Sequence, residues 1–236
     1  MGLFQNEFER YEKKYLLDAR QAKAVRQALA AQVKEDTYGV YTICSLYYDT
    51  VDYRLIRASL ERPVFKEKLR VRAYGVPGDG DTVFVELKKK FDGKVFKRRV
   101  PMTLQASRDF LRWSVWPEAG SRQVLEEIQQ VLRTDELEPK TFLAYDRQAF
   151  CGVEDSDLRI TLDANIRWRR DRLDLADGDF GEPMLQDGQV LMEVKTDQAV
   201  PLWLARCLSR NRIYPASFSK YGTVYKENLI GEKYYV

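Results

Sequence analysis

Between Phe65 and Val100, charged and apolar residues alternate with the two-residue period of a strand. Lys66, Lys68, Arg70 and Arg72 fall on one face, and Leu69, Val71 and Ala73 on the other. The pattern predicts three strands, Phe65–Tyr74, Thr82–Lys90 and Lys94–Val100, the last two joined by a turn at Phe91-Asp92-Gly93. Glu86, Lys88 and Lys90 share a face of the second strand, and Lys97 and Arg99 a face of the third. Upstream, Asn6–Leu17 reads as a strand with Arg10, Glu12 and Lys14 on one side. Asp18 caps a predicted helix from Ala19 to about Val33, with Ala22, Val25, Ala28 and Leu29 as its apolar stripe. Thr42–Tyr48 reads as a buried strand, and Asp49-Thr50 as the cap of a short helix through Leu60. Downstream, helices are expected over Thr103–Trp116 and Ser121–Leu132, the second capped by Ser121. Strands follow at Thr141–Cys151, Leu158–Arg167 and Gln189–Thr196, with a polar loop over Asp171–Gln186. A helix starting at Asp197 carries Trp203, Leu204 and Leu208, and Ser217–Asn228 is expected to be helical. The result is an α+β architecture of about eight mostly antiparallel strands, enough to close into a barrel. No linker-like shift divides residues 1–236, so one domain is expected.

Composition narrows the chemistry. The 236 residues are 44% hydrophobic, enough for a core, and no apolar run reaches the length of about 20 residues that spans a bilayer. The first residues are acidic and lack an apolar signal core, so the cytoplasm is the expected compartment. Gly2 does not complete a myristoylation motif, because Asn6 stands where Ser or Thr is needed. Cys44, Cys151 and Cys207 show no paired spacing and are expected to be reduced and mostly buried. Histidine is absent, which excludes Ser–His and Cys–His nucleophile pairs, imidazole acid–base chemistry and His-ligated zinc. Catalysis must use carboxylates, Lys, Arg, Tyr or a hard metal ion.

Charge is sorted along the strands. Their polar faces carry Arg10, Lys14, Lys66, Lys68, Arg70, Arg72, Lys88, Lys90, Lys97, Arg99, Arg147, Arg159 and Lys195, against Glu12, Glu86, Asp163 and Glu193. Those are 13 basic and 4 acidic residues, from chain totals of 39 and 36. A solvated sheet face is the ordinary reading of one alternating strand, but it gives no reason for sorting, since mixed signs are more stable. The faces therefore read as a polyanion site. If the sheet closes, these side chains share a lumen whose low-dielectric walls concentrate positive potential. Arginine forks and lysine point charges suit phosphate, and the carboxylates suit Mg²⁺ or Mn²⁺.

In this setting the chain resembles the polyphosphate polymerase domain of the vacuolar transporter chaperone (VTC) type, in its stand-alone bacterial form, within the triphosphate tunnel metalloenzyme (CYTH-like) superfamily. The motifs run in order: Arg10-Tyr11-Glu12-Lys13-Lys14-Tyr15, Ser45-Leu46-Tyr47-Tyr48-Asp49-Thr50, Lys68-Leu69-Arg70-Val71-Arg72-Ala73-Tyr74-Gly75, Glu86-Leu87-Lys88, Lys97-Arg98-Arg99, Tyr145-Asp146-Arg147, Arg159-Ile160-Thr161-Leu162-Asp163, Glu193-Val194-Lys195 and Ser219-Lys220-Tyr221. The resemblance implies a closed eight-stranded antiparallel tunnel with helices packed outside. It also implies phosphate contacts from Arg10, Lys14, Lys68, Arg70, Arg72, Lys88, Lys97, Arg99, Tyr145, Arg147, Arg159, Lys195, Ser219 and Lys220. Arg70, Arg72, Lys88, Lys97 and Glu193 would be catalytic, and Glu193, with Glu12 or Glu86, would hold the metal. The first strand departs from the Glu-x-Glu-x-Lys of the superfamily's triphosphatases, because Arg10 replaces one carboxylate.

A polyphosphate chain end is already anionic and needs no strong base, whereas a hydrolase must activate water. A cation-rich lumen thus fits transfer of the terminal phosphoryl of ATP onto polyphosphate. The alternatives are a metal-dependent inorganic or nucleoside triphosphatase and a non-catalytic polyphosphate or inositol-phosphate binding module. RNA binding is disfavoured, because aromatics such as Phe65 and Phe96 are expected on the apolar side. Neither nucleic acid nor a membrane segment is expected. Arg70→Ala and Arg72→Ala are both expected to relieve repulsion and keep or raise the melting temperature. Arg167–Arg172 reads as a solvated rim, and Phe110, Trp113 and Trp116 as helix packing.

Overall fold

The computed structural model describes residues 11–61, 63–92, 94–118, 120–197 and 199–230. The predicted first strand appears as β1 (Tyr11–Leu17); Arg10 and the residues before it lie outside the described residues. Then follow α1 (Ala19–Leu29), β2 (Val33–Asp49), α2 (Arg54–Leu60), β3 (Phe65–Tyr74), β4 (Thr82–Phe91) and β5 (Lys94–Thr103). The second half holds α3 (Leu104–Trp113), α4 (Arg122–Asp135), β6 (Glu138–Gly152), β7 (Arg159–Arg169), β8 (Glu182–Pro183), β9 (Val190–Thr196), α5 (Leu202–Arg210) and α6 (Lys220–Val224). Eight strands form one hydrogen-bonded path in the order β1-β9-β7-β6-β2-β3-β4-β5, and the two-residue β8 pairs with β7. The architecture is α+β, built on an antiparallel sheet. Among the described residues, no hydrogen-bonded ladder joins β1 to β5, so hydrogen bonds do not close the sheet.

Local chemistry sets the helix boundaries. Asp18 and Gln21 cap α1 reciprocally, and the helix stops at Leu29 because Val33 begins β2. β2 starts nine residues earlier than the apolar run suggested, its polar first half being largely exposed. Thr103 caps α3, and Ser114 ends it at φ 58°. Ser121 stands at the start of α4 but makes no cap hydrogen bond from its side chain. Asp49 and Thr50 do cap α2, from several residues away: Thr50 Oγ1 accepts from Arg54 N at 2.7 Å, and the Asp49 carboxylate from Leu55 N and Ile56 N at 2.8 and 3.0 Å. The α5 helix begins at Leu202 after Pro201, later than the Asp197 start read from the sequence.

Two compact units partition the chain. One comprises residues 11–41, Asp146–Asn165 and Leu185–Phe218, around a core that includes Tyr15, Val25, Ile160, Met192 and Leu204. The other comprises Thr42–Tyr145, Ile166–Met184 and residues 219–230, around Leu69, Val85, Leu87, Phe110, Ile128 and Phe142.

Three surface readings are corrected in part. Arg169 is 3% exposed and donates to the carbonyls of Arg172, Gly178, Phe180 and Asp174 at 2.8–3.0 Å, its guanidinium against the Phe142 ring at 3.5 Å. Arg167 binds Asp179, and Trp168 is buried. Arg167–Arg169 thus fasten the loop after β7, because carbonyls in a tight loop need donors, while Arg170–Arg172 are exposed as a rim would be. Phe110 is in the core and meets Trp116 edge-on, but Trp113 is exposed, since α3 ends before its turn could face inward. Phe65 and Phe96 do lie on the apolar side, sharing the faces of Leu69 and Val100, but each is 47% exposed, because the helices cover only part of that face of β3–β5.

Candidate active site

In the β3–β4–β5 meander the alternation becomes a grid. Cross-strand register aligns Lys68, Lys88 and Lys97 in one row and Arg70, Glu86 and Arg99 in the next. The following row begins Ser45, Arg72, Phe84, with Tyr47 joining the row of Arg70. At the centre stands Glu86, 2% exposed. Arg70 approaches its Oε2 at 2.7 Å, with Arg72 at 3.8 Å; Arg99 and Lys97 lie 3.1 and 3.6 Å from Oε1. Burial pushes the Glu86 carboxyl up, but Arg70, Arg72 and Lys97 outweigh it and hold it at about 2. One carboxylate cannot neutralise four cations. Partial burial and the neighbouring arginines accordingly push Lys97 down despite Glu86.

Behind these cations lie donors without hydrogen-bond partners. Arg72 is 8% exposed and Ser45 is 1% exposed; Arg72 Nε and Ser45 Oγ are both buried and make no hydrogen bond within the protein. Buried polar atoms are normally satisfied, so such a pair beside excess positive charge marks a place for acceptor oxygens. Tyr47 accepts from Arg70 Nη1 at 2.9 Å. Burial pushes its phenol up, but Arg70, Arg72 and Lys68 pull it further down, to about 8. Tyr47 stacks on Tyr221 at 4.8 Å, and Tyr221 donates to Asp49 at 2.9 Å, which fixes α6 beside β2. The Lys220 ammonium lies 4.2 Å from the Tyr145 ring centroid, while Ser219 caps α6 by accepting from Gly222 N.

The other unit carries a different cluster. Glu12 and Lys14 on β1 face Lys195 and Glu193 on β9, and Arg159 on β7 is the next neighbour of Lys195. Lys14 Nζ stands 3.5 Å from both Glu12 Oε1 and Glu193 Oε1 and donates to the Phe218 carbonyl at 3.1 Å. Lys195 Nζ is 3.4 Å from Glu193 Oε2. Arg147 gives Nε and Nη2 to the fully buried Asp163 at 2.7 and 2.8 Å, so two of its donors are committed within the sheet. Here three carboxylates face four cations, so the signs come much closer to balance.

The VTC domain family matches the chain over residues 9–227. The chain belongs to that family. No curated protein matches its sequence significantly. A protein from Bacillus halodurans, provisionally named an adenylate cyclase, shares 13% identity at a TM-score of 0.54, over 88% of this chain and 92% of its own. A Hippeastrum protein, provisionally named an adenylyl cyclase and described as having a dominant triphosphatase activity, shares 17% at 0.55, over 93% and 96%. These likenesses establish a common fold.

The VTC domain's sequence-predicted residues thus fall into two groups. Lys68, Arg70, Arg72, Glu86, Lys88, Lys97, Arg99, Tyr145, Ser219 and Lys220 lie in one unit, and Glu12, Lys14, Arg147, Arg159, Glu193 and Lys195 in the other. As metal donors the carboxylates differ. Glu86 is surrounded by four cations, which disfavours a dication there. Glu12 and Glu193 present hard oxygens on adjacent strands with an ammonium between them, a donor set that fits Mg²⁺ or Mn²⁺. Among the described residues, Asp155, Asp157 and Asp197 also bring carboxylate oxygens within 4.8 Å of one another. Sequence reading missed Ser45 and Tyr47 as members of the site. Their parity in β2 was the available signal, but it needs the β2–β3 register to be read. No helix among the described residues is long and apolar enough to cross a membrane.

Proposed function

We propose that this VTC domain is a polyphosphate polymerase, transferring the terminal phosphoryl of ATP onto a polyphosphate chain. The carrying observation is the surplus of cations around Glu86 together with the buried donors Arg72 Nε and Ser45 Oγ, which make no hydrogen bond within the protein. Phosphoryl transfer needs positioning and neutralised charge. Arg70, Arg72, Lys97 and Arg99 hold phosphate oxygens, with Lys68 and Lys88 extending the row and Lys220, Tyr145 and Ser219 at its flank. The Arg70 fork is kept in place by Glu86 and Tyr47, so little ordering remains to be done when phosphate arrives. Glu193 and Glu12 would hold Mg²⁺ or Mn²⁺, which supplies charge neutralisation on the phosphates. Lys14, Lys195, Arg159 and Arg147 complete the second cluster. Closure of the sheet into a tunnel and a cytoplasmic location belong to the same proposal. An acceptor that is already an anion needs no general base, in keeping with cations outnumbering carboxylates and with the absence of histidine.

The triphosphatase reading keeps one specific support, the activity described for the Hippeastrum neighbour. Incubating the purified protein with ATP and Mn²⁺ and resolving the products on a gel separates the two. Phosphate polymer is the expected product; orthophosphate alone would overturn polymerisation in favour of hydrolysis.

A further inference from the structure

The phosphate grid ends in an aromatic shelf. On the same sheet face, one row beyond Arg70, Glu86 and Arg99, β4 presents Phe84, and β3 continues to Tyr74. The two rings meet edge-on with centroids 5.8 Å apart. The Arg99 guanidinium lies over Phe84, its Cζ 3.7 Å from the ring centroid. Both ends of that guanidinium are held: Nε stands 3.1 Å from Glu86 Oε1, and Nη2 donates to Tyr74 Oη at 3.1 Å. A guanidinium with one face on a ring and its edges fixed is a rigid plane. The Arg99 side chain is 35% exposed and Tyr74 is 51% exposed, so solvent reaches the shelf.

Beyond the charge and the remaining donor that Arg99 offers, the two rings add nothing to binding of a bare phosphate chain. Phosphate oxygens seek N–H donors at the guanidinium edge, and here those edges are partly committed. Flat heteroaromatic rings, by contrast, stack on guanidinium planes and on aromatic faces, largely independent of base identity. The spacing suits a nucleotide. Lys97 is two residues before Arg99 on β5, about 7 Å along the strand, with Lys88 and Lys68 beside it.

We propose that Phe84, Tyr74 and the plane of Arg99 form a nucleobase-stacking subsite that gives the triphosphate site its preference for nucleoside triphosphates over inorganic triphosphate. The triphosphate lies on the cations from Arg70 to Lys97, and the base covers the shelf at the Tyr74 end. This rests on the reading of the Glu86 cluster as a triphosphate site. Recognition is by stacking area, so purine nucleotides bind more tightly than pyrimidine nucleotides.

Titration calorimetry with ATP, UTP and inorganic tripolyphosphate, on the wild type and on Phe84→Leu and Tyr74→Leu, tests it. In each variant the Kd for ATP should rise about tenfold, while that for tripolyphosphate, which still meets the charge of Arg99, rises no more than about twofold. The wild type should bind ATP several-fold more tightly than UTP. Circular dichroism checks that each variant is folded. As a measurement needing no variant, the fluorescence of 2-aminopurine riboside triphosphate should be quenched on binding the wild type. Equal losses for ATP and tripolyphosphate would overturn the subsite, making the shelf a prop for Arg99. Unchanged ATP affinity, or an unquenched probe that binds, would overturn it too. A wild type that binds tripolyphosphate but not ATP sinks the subsite alone; one that binds neither removes the triphosphate reading and the subsite with it.

Discussion

The two charged clusters use the same residue types and reach opposite electrostatic states. Around Glu86, four cations converge on one buried carboxylate, and positive charge is left over. Around Glu193, Lys14 and Lys195 meet Glu193 and Glu12, and Asp163 answers Arg147. The difference comes from register. In β3–β5 the basic faces align cation with cation across three strands, while between β1 and β9 Lys14 falls opposite Glu193 and Lys195 opposite Glu12. Like charges side by side are costly in a bare sheet, so the first cluster is strained without an anion and the second is content without one. Under the proposed function, the first is the cluster that a ligand neutralises, and the second is the one where a metal ion would take the place of an ammonium.

Substitution of the two buried glutamates should expose this contrast most clearly. Glu86→Gln removes the carboxylate on which four cations converge and is expected to destabilise the protein by about 3–5 kcal/mol in phosphate-free buffer, with tripolyphosphate restoring much of the loss. Glu193→Gln should cost about 1 kcal/mol, because its lysines are partly solvated. Urea denaturation with and without tripolyphosphate measures both, and equal losses would break the comparison.

The paired arginines of β3 come next. Arg70 bonds both Glu86 and Tyr47, so Arg70→Ala should lower stability by about 1–3 kcal/mol. Arg72, whose Nε lies 3.8 Å from Glu86 and makes no hydrogen bond, should leave the melting temperature unchanged or raised as Arg72→Ala. The common relief of repulsion expected from sequence thus divides into two opposite signs. Both variants should weaken tripolyphosphate binding by about tenfold or more, read by calorimetry.

The smallest effect is a titration. The Tyr47 phenol ionises lower in the folded protein than in the unfolded chain. Its phenolate therefore contributes stability above the unfolded value, and this contribution is lost as pH falls through about 8. For anion binding the sign reverses, since each phenolate cancels a cation. Tripolyphosphate affinity should fall about two- to threefold as pH rises from about 7 to about 9, and Tyr47→Phe should flatten that slope. An unchanged slope in the variant would detach Tyr47 from the site.

How much of this was legible depends on how local each signal is. The strands of the meander, the helix cap Asp18 and the cations of β3–β5 follow from alternation and side-chain chemistry within a few residues. What escaped the sequence is set by pairing at long range. That Glu86 gathers four cations, that Arg147 is bound to Asp163, and that Ser45 and Tyr47 join the face of Arg72 and Arg70 all depend on which strand lies beside which. Arg169 was misread for the same reason. A basic run reads as solvated until the loop whose carbonyls it binds folds back over it.

The bond between Tyr221 and Asp49 joins residues 172 apart in the chain. A ribosome takes roughly 10–30 s to travel that distance. The β3–β5 meander has only neighbouring strands to find and can assemble long before then. Its cations are thus made early, while the α6 residues that stack on Tyr47 and carry Lys220 arrive late. Once the meander has emerged, its basic face waits with an unfinished wall until the last residues are added.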